Sequence, residues 1–357
     1  MTDVPNDKKH VISSKEKKLI ENIKAQTNAL NSNNITRTKA YLDFYQRHTE
    51  IHWAFLGHMV SRNGGWNMTD LNGTLLSRLL SSKQRTSFFT FLERGNWLIF
   101  QDAYPQFLLY EESLKQGKNL FHLLPYFHVS IFMRIIWNHF YLKRDSYILT
   151  IALIINEQSY LELRVIQNPS YKKTIFNTLE YQLQDLLSMN QILFPFHKDG
   201  NVKLIGATLH HFQNLHKRIL LGKRLYSILF NNPSNLKLVE RFAYATPHTG
   251  SRKDYWSHIF NDVDESVPWN KLKPRLRSCR LNAGAARFYS PKLEYAWKNY
   301  NHASAEIIDW YEDWQIINYL IHAEENVLGE IEDEYCQTIE NIELAAIAKK
   351  TFFSFDL

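Results

Sequence analysis

Apolar residues recur at three- and four-residue spacing along most of this chain, the period of helices that bury one face. Residues 15–30 set Leu19, Ile20, Ile23 and Leu30 on a polar background, and Asn31-Ser32-Asn33-Asn34 breaks that stripe. The spacing then predicts one long helix from Thr36 to the stop at Asn63-Gly64-Gly65, with Tyr41, Phe44, Tyr45, His48, Ile51, His52, Phe55 and Met59 on its inner face. Further helices are expected from a cap at Thr69 or Asp70 through Leu80, over 84–104 up to Pro105, and over 127–142, 146–166, 171–189, 207–230 and 234–244. Between them, Ile192 to Phe196 and Val202 to Ile205 flank a Gly-containing turn, the pattern of a short β-hairpin near 192–205. A short helix over 252–261 and an irregular basic stretch over 263–292 lead to three carboxy-terminal helices. The first of these carries Ile307, Trp310, Tyr311, Trp314, Ile317 and Ile321 on one face.

This pattern predicts an all-α protein, a bundle-like body of about a dozen helices. Composition agrees, because 12 glycines and 10 prolines in 357 residues leave few turn formers. Residues 1–34 are expected to form an amino-terminal helix and linker, and residues 35–357 a single large helical domain with acidic helices at 301–343. The amino terminus lacks an apolar leader, and stretches such as 147–155 fall short of the roughly 20 apolar residues that span a bilayer. Cys279 and Cys336 offer neither metal spacing nor a disulfide framework. A soluble, cytoplasmic protein without a transmembrane segment is the expectation.

Charge is unevenly spread. The net formal charge is +6, yet 12 of the 36 carboxylates lie in 301–343, which has no Lys or Arg. The remainder carries 42 basic against 24 acidic residues. Such a body attracts phosphates or acidic partners unless the acidic segment folds back on the basic stretch 271–298. Internal neutralisation ranks ahead of nucleic-acid binding, since Lys217, Arg218, Lys223 and Arg224 spread around their helix instead of forming one face.

Two constellations bear on chemistry. His48 and His52 fall four residues apart on the second helix, and Asp102 falls on the inner face of the helix bearing Phe88, Leu92, Gly95 and Ile99. Imidazoles one turn apart can share a divalent metal with a carboxylate from a packed neighbour, or act as acid and base. The first reading of His48, His52 and Asp102 is nevertheless a set of hydrogen-bonded core groups, with metal binding second and catalysis third. The other constellation is the loop Thr246-Pro247-His248-Thr249-Gly250-Ser251-Arg252-Lys253-Asp254. Free N–H groups at a helix start, with His248, Thr249, Ser251, Arg252 and Lys253 beside them, suit an anion, whereas an ordinary helix cap explains the same residues.

The runs WAFLGHMVSRNGGWNMTDL at 53–71, ERGNWLIFQDAYP at 93–105 and HTGSRKDYW at 248–256 resemble the YppC-like family of uncharacterised bacterial proteins, over about residues 36–340. The resemblance implies a bacterial cytosolic protein and brings no activity, cofactor or catalytic residue with it.

The leading functional expectation is a binding protein for an anionic partner or another protein. The alternative is a metal-assisted or acid–base hydrolase for a phosphorylated substrate, built on His48, His52 and Asp102. A scaffold role would expose aromatic residues, with Trp66, Trp256, Trp269 and Trp297 as the ones to inspect.

Overall fold

In the computed structural model, the structure describes residues 12–171, 191–209, 211–265, 273–321 and 327–353. Helix α1 (Ser14–Leu30) starts at a capping box in which Ser13 and Glu16 exchange hydrogen bonds. Asn33 and Thr36 make the same exchange ahead of α2 (Asn34–Arg47). Helix α3 (His52–Asp70) and the short α4 (Leu76–Leu79) follow, and Ser81 with Gln84 caps α5 (Ser82–Gln116). Helices α6 (Ile131–Lys143) and α7 (Ser146–Leu161) come next, α7 running on into a π-turn at Glu162–Ile166. Strands β1 (Gln191–Lys198) and β2 (Asn201–Thr208) form an antiparallel hairpin in which Lys198 faces Asn201. Its two-residue turn, Asp199-Gly200, has φ of 50° and 76°, the left-handed pair that suits a tight hairpin. Helices α8 (Leu215–Phe230), α9 (Pro233–Ala245) and α10 (Glu332–Phe353) complete the body.

The fold is mostly helical with a small hairpin, as the apolar spacing predicts. Helix α5 is its axis. Residues 102–110 are buried on every side, and that packing carries the helix through Pro105, which removes only one backbone hydrogen bond. The helix expected over 171–189 lies almost wholly outside the described residues.

Several boundaries differ from the sequence expectation. The single helix from Thr36 to Gly65 is two helices. The His48 N–H closes α2 on the carbonyls of Phe44 and Tyr45, and the chain reverses through 48–51 before α3 begins. Reversal lets the two apolar faces pack together, with Tyr45 stacked on Phe55 and Tyr41 edge-on to Trp53. Gly64 and Gly65 lie inside α3 and do not stop it. At Gly65 a β-carbon would stand 2.3 Å from Asn34 Oδ1 and 2.5 Å from His248 Nε2, so glycine permits that close approach. The helix expected over 252–261 is only a three-residue turn.

The acidic carboxy-terminal segment also departs from expectation. Residues 301–313 form a strap without regular structure. Arg94 donates to the Ala303 carbonyl, Arg164 to those of Glu306 and Ile308, and the Trp310 indole N–H to Asn156. Arg94 and Arg164 thus satisfy carbonyls that a helix would have satisfied itself. Ile307 and Ile321 are accordingly exposed at 72% and 70% instead of facing a core. Some acidic residues do fold back on the basic stretch: Glu343 pairs with buried Arg275, and Glu340 accepts from the Ser278 N–H. Cys279 and Cys336 form a disulfide, which their spacing did not announce; the fold joins a hairpin turn to α10 across 57 residues of sequence.

Candidate functional site

Helices α3, α5, α7 and α8 do not close completely where they meet. They leave a cavity of about 210 Å³, walled mainly by apolar side chains. Four glycines stand on its wall: Gly57 and Gly64 two turns apart on α3, Gly95 on α5 and Gly222 on α8. A β-carbon at Gly57 would come within 2.8 Å of the Trp53 ring, and one at Gly222 within 2.5 Å of Ile154, so these glycines let wall residues pack. Gly95 is different. A β-carbon there would make only an ordinary van der Waals contact, with Leu161 Cδ2 at 3.9 Å, and would clash with nothing.

Few polar groups reach this wall. Glu157, near the carboxy-terminal end of α7, accepts from Gln158 Nε2 at 2.8 Å and from the Trp53 indole. Burial pushes its carboxyl up to about 7, helped by the charge of Asp102 and opposed by those hydrogen bonds and by Arg218. Arg218 spends all three guanidinium nitrogens on Gln158 Oε1, the Phe212 carbonyl and Glu162, at 2.9, 2.7 and 2.6 Å. Asn96 donates to the Leu92 carbonyl, and Ser61 is held by Thr38 and Asn34. Tyr41 also lines the cavity and is 3% exposed, and its hydroxyl has no hydrogen-bond partner among the described residues. A buried hydroxyl without a partner carries a free-energy penalty, and this oxygen is enclosed by protein atoms instead of standing open to the cavity. The π-turn adjoins the same space, since Val165 and Ile166 line it; such turns are frequent at functional sites.

The structure does not gather the sequence-derived candidates around this cavity. His48 ends α2 and contacts Glu111 Oε1 at 3.2 Å and Glu50 Oε1 at 3.4 Å. His52 opens α3, bonds the Tyr226 hydroxyl at 3.1 Å and stacks on Phe230; burial pushes it down to about 4. Asp102 accepts from Gln106 and Asn156 in a buried network that continues to Ser130, Trp137 and Trp310. Burial pushes Asp102 up to about 6. The three share no hydrogen-bond partner. Among the described residues, no group of three or more His, Cys, Asp or Glu side chains is placed to hold a metal.

The 246–254 loop packs against the opposite face of α3. Asp254 receives the Thr249 N–H and hydroxyl at 2.9 and 2.6 Å and lies 3.6 Å from His248 Nδ1. Arg252, 2% exposed, reaches Asp70, the Tyr255 hydroxyl and Asn67. Ser251 donates to the Ser290 carbonyl, and Lys253 pairs with Asp262. Of the aromatic residues singled out for a scaffold role, Trp66 and Trp256 are buried and Trp297 stacks on Phe89, while Trp269 lies outside the described residues.

A family model described as "Protein of unknown function (DUF2515)" matches residues 29–336. The chain belongs to the DUF2515 family. It is similar to the uncharacterized protein YppC of Bacillus subtilis (strain 168), 46% identical over 264 residues that cover 74% of this chain and 79% of that relative. No solved structure matches it. No described helix is long and apolar enough to cross a membrane.

The matched DUF2515 region includes every wall residue of the cavity. Signals for this site were present in the chain but weak. Glycines seven apart at 57 and 64 share a helix face, Gly95 was already on an inner stripe, and Glu157 lies in the polar run Asn156-Glu157-Gln158 that follows the apolar stretch of α7. Nothing in the spacing relates Tyr41, Glu157 and Arg218 to one another, because three different helices carry them.

Proposed function

We propose that this DUF2515 chain is a cytoplasmic binding protein whose ligand is a small, largely apolar molecule held between α3, α5, α7 and α8. The observation that carries the reading is the cavity itself, walled mainly by apolar side chains with Glu157 among them. A cavity of about 150 Å³ lined by apolar side chains takes up benzene, so 210 Å³ suits a single ring with a short substituent. An anionic partner is a less supported occupant, because Arg252 and Lys253 have carboxylate partners within the chain.

Ligand-detected NMR with toluene, indole and 2-phenylethanol tests the reading. At least one should bind with Kd below about 1 mM, and Gly95→Leu should abolish binding while leaving the urea midpoint at or above that of the natural chain. No binding by any probe, or undiminished binding to the variant, contradicts it.

A further inference from the structure

We infer that the cavity selects a small hydrophobic amine, whose ammonium group is held by Glu157 while its apolar body fills the space beside Gly95. This deepens the binding reading above and rests on it. The argument begins with what the wall leaves uncommitted. Arg218 is the cation on this wall, and its three nitrogens already serve Glu162, Gln158 and the Phe212 carbonyl. An incoming carboxylate or phosphate would therefore have to break those contacts. The remaining capacity is of the opposite kind. Glu157, which lines the cavity, is an acceptor with only side-chain N–H groups upon it.

The charges around Glu157 support the same choice. Tyr41 faces it from α2, the Trp53 indole from α3, Asp102 from α5 and Arg218 from α8, and Glu162 offsets Arg218. The β1 side contributes apolar Ile192. Burial makes ionised Glu157 unfavourable in the empty cavity, and an ammonium supplies the counter-charge it lacks. When the amine enters below neutrality, Glu157 gives up its carboxyl proton to solvent and the ammonium keeps its own. Entry of an amine is thus coupled to release of one proton.

The test uses three probes with one ring skeleton: 2-phenylethylamine, 2-phenylethanol and phenylacetate. They are titrated calorimetrically into the full chain at pH 6 and pH 8, in buffers of different ionisation heat. A charge-assisted hydrogen bond is about twice as strong as a neutral one, so the amine should bind roughly tenfold more tightly than the alcohol at pH 8. It should release close to one proton at pH 6 and almost none at pH 8, and phenylacetate should bind most weakly. Glu157→Gln should remove the preference for the amine and leave the alcohol within about threefold. The proton count on the natural chain decides the matter even if that variant does not fold. Equal or tighter binding of the alcohol or acid, or amine binding without proton release at pH 6, overturns the amine assignment and leaves a small-molecule cavity standing. Failure of all three probes overturns both.

Discussion

Gly95 on α5 and Leu161 on α7 both line the cavity, and a β-carbon added to the glycine would meet Leu161 Cδ2 at 3.9 Å, an ordinary van der Waals contact. A glycine inside a helix ordinarily weakens it by roughly 1 kcal/mol relative to alanine. Here the methyl group of alanine would clash with nothing. Gly95→Ala should therefore raise stability by up to about 1 kcal/mol in urea denaturation while weakening ligand binding. A destabilised Gly95→Ala chain would show that the space is absent.

Arg37 Nη2 lies 2.6 Å from both oxygens of Glu93, and both side chains are buried. The pair ties α2 to α5, and burial that would raise the Glu93 carboxyl is overcome by Arg37 and by His302 from the strap. Removing one partner of such a pair costs about 3–5 kcal/mol. Arg37→Met should lower stability by that amount, and adding Glu93→Gln should recover part of it. A single variant as stable as the natural chain would contradict the assignment.

The pH dependence of stability follows from two opposed shifts. Glu157 is raised from 4.5 to about 7, so its contribution is fully present below pH 4.5 and is lost as pH rises through 7. His52 is lowered from 6.5 to about 4, so its contribution is present above pH 6.5 and is lost as pH falls through 4. The gain in stability from Glu157→Gln should grow from pH 4.5 to 7 and then level off. A difference that does not change with pH, measured by urea denaturation at each value, would contradict the burial of Glu157.

Cys279 and Cys336 close a loop spanning 57 residues. A cross-link over that span stabilises by up to about 4 kcal/mol on the chain-entropy account. Replacing both cysteines with serine should lower stability by no more than this and expose α10 first to hydrogen exchange. The proposed cytoplasmic location adds a second expectation: the pair is held as thiols in the cell. Alkylation of intact cells before lysis should label both, and unlabelled cysteines would count against that location.

What was legible in the chain was local. The Gly-containing turn between Ile192–Phe196 and Val202–Ile205 marks a hairpin through its own chemistry, and the structure has it at Asp199-Gly200. The break after His48 was hidden, because the apolar spacing continues in phase from α2 into α3 and only their mutual packing demands reversal. The strap at 301–313 was hidden for a related reason: its backbone partners, Arg94 and Arg164, lie more than 130 residues away. The cavity depended on distance in the same way. Each wall residue reads as ordinary core on its own helix, and the unfilled space is a property of four helices together.

Xenon enters apolar cavities of this kind without needing a polar contact. A crystal of the chain pressurised with xenon therefore tests the central claim most directly. The account predicts xenon density between α3, α5, α7 and α8 beside Gly95, and none at that place in Gly95→Leu. A natural chain whose wall side chains close over the space, or in which ordered water fills it and xenon does not enter, would contradict the account.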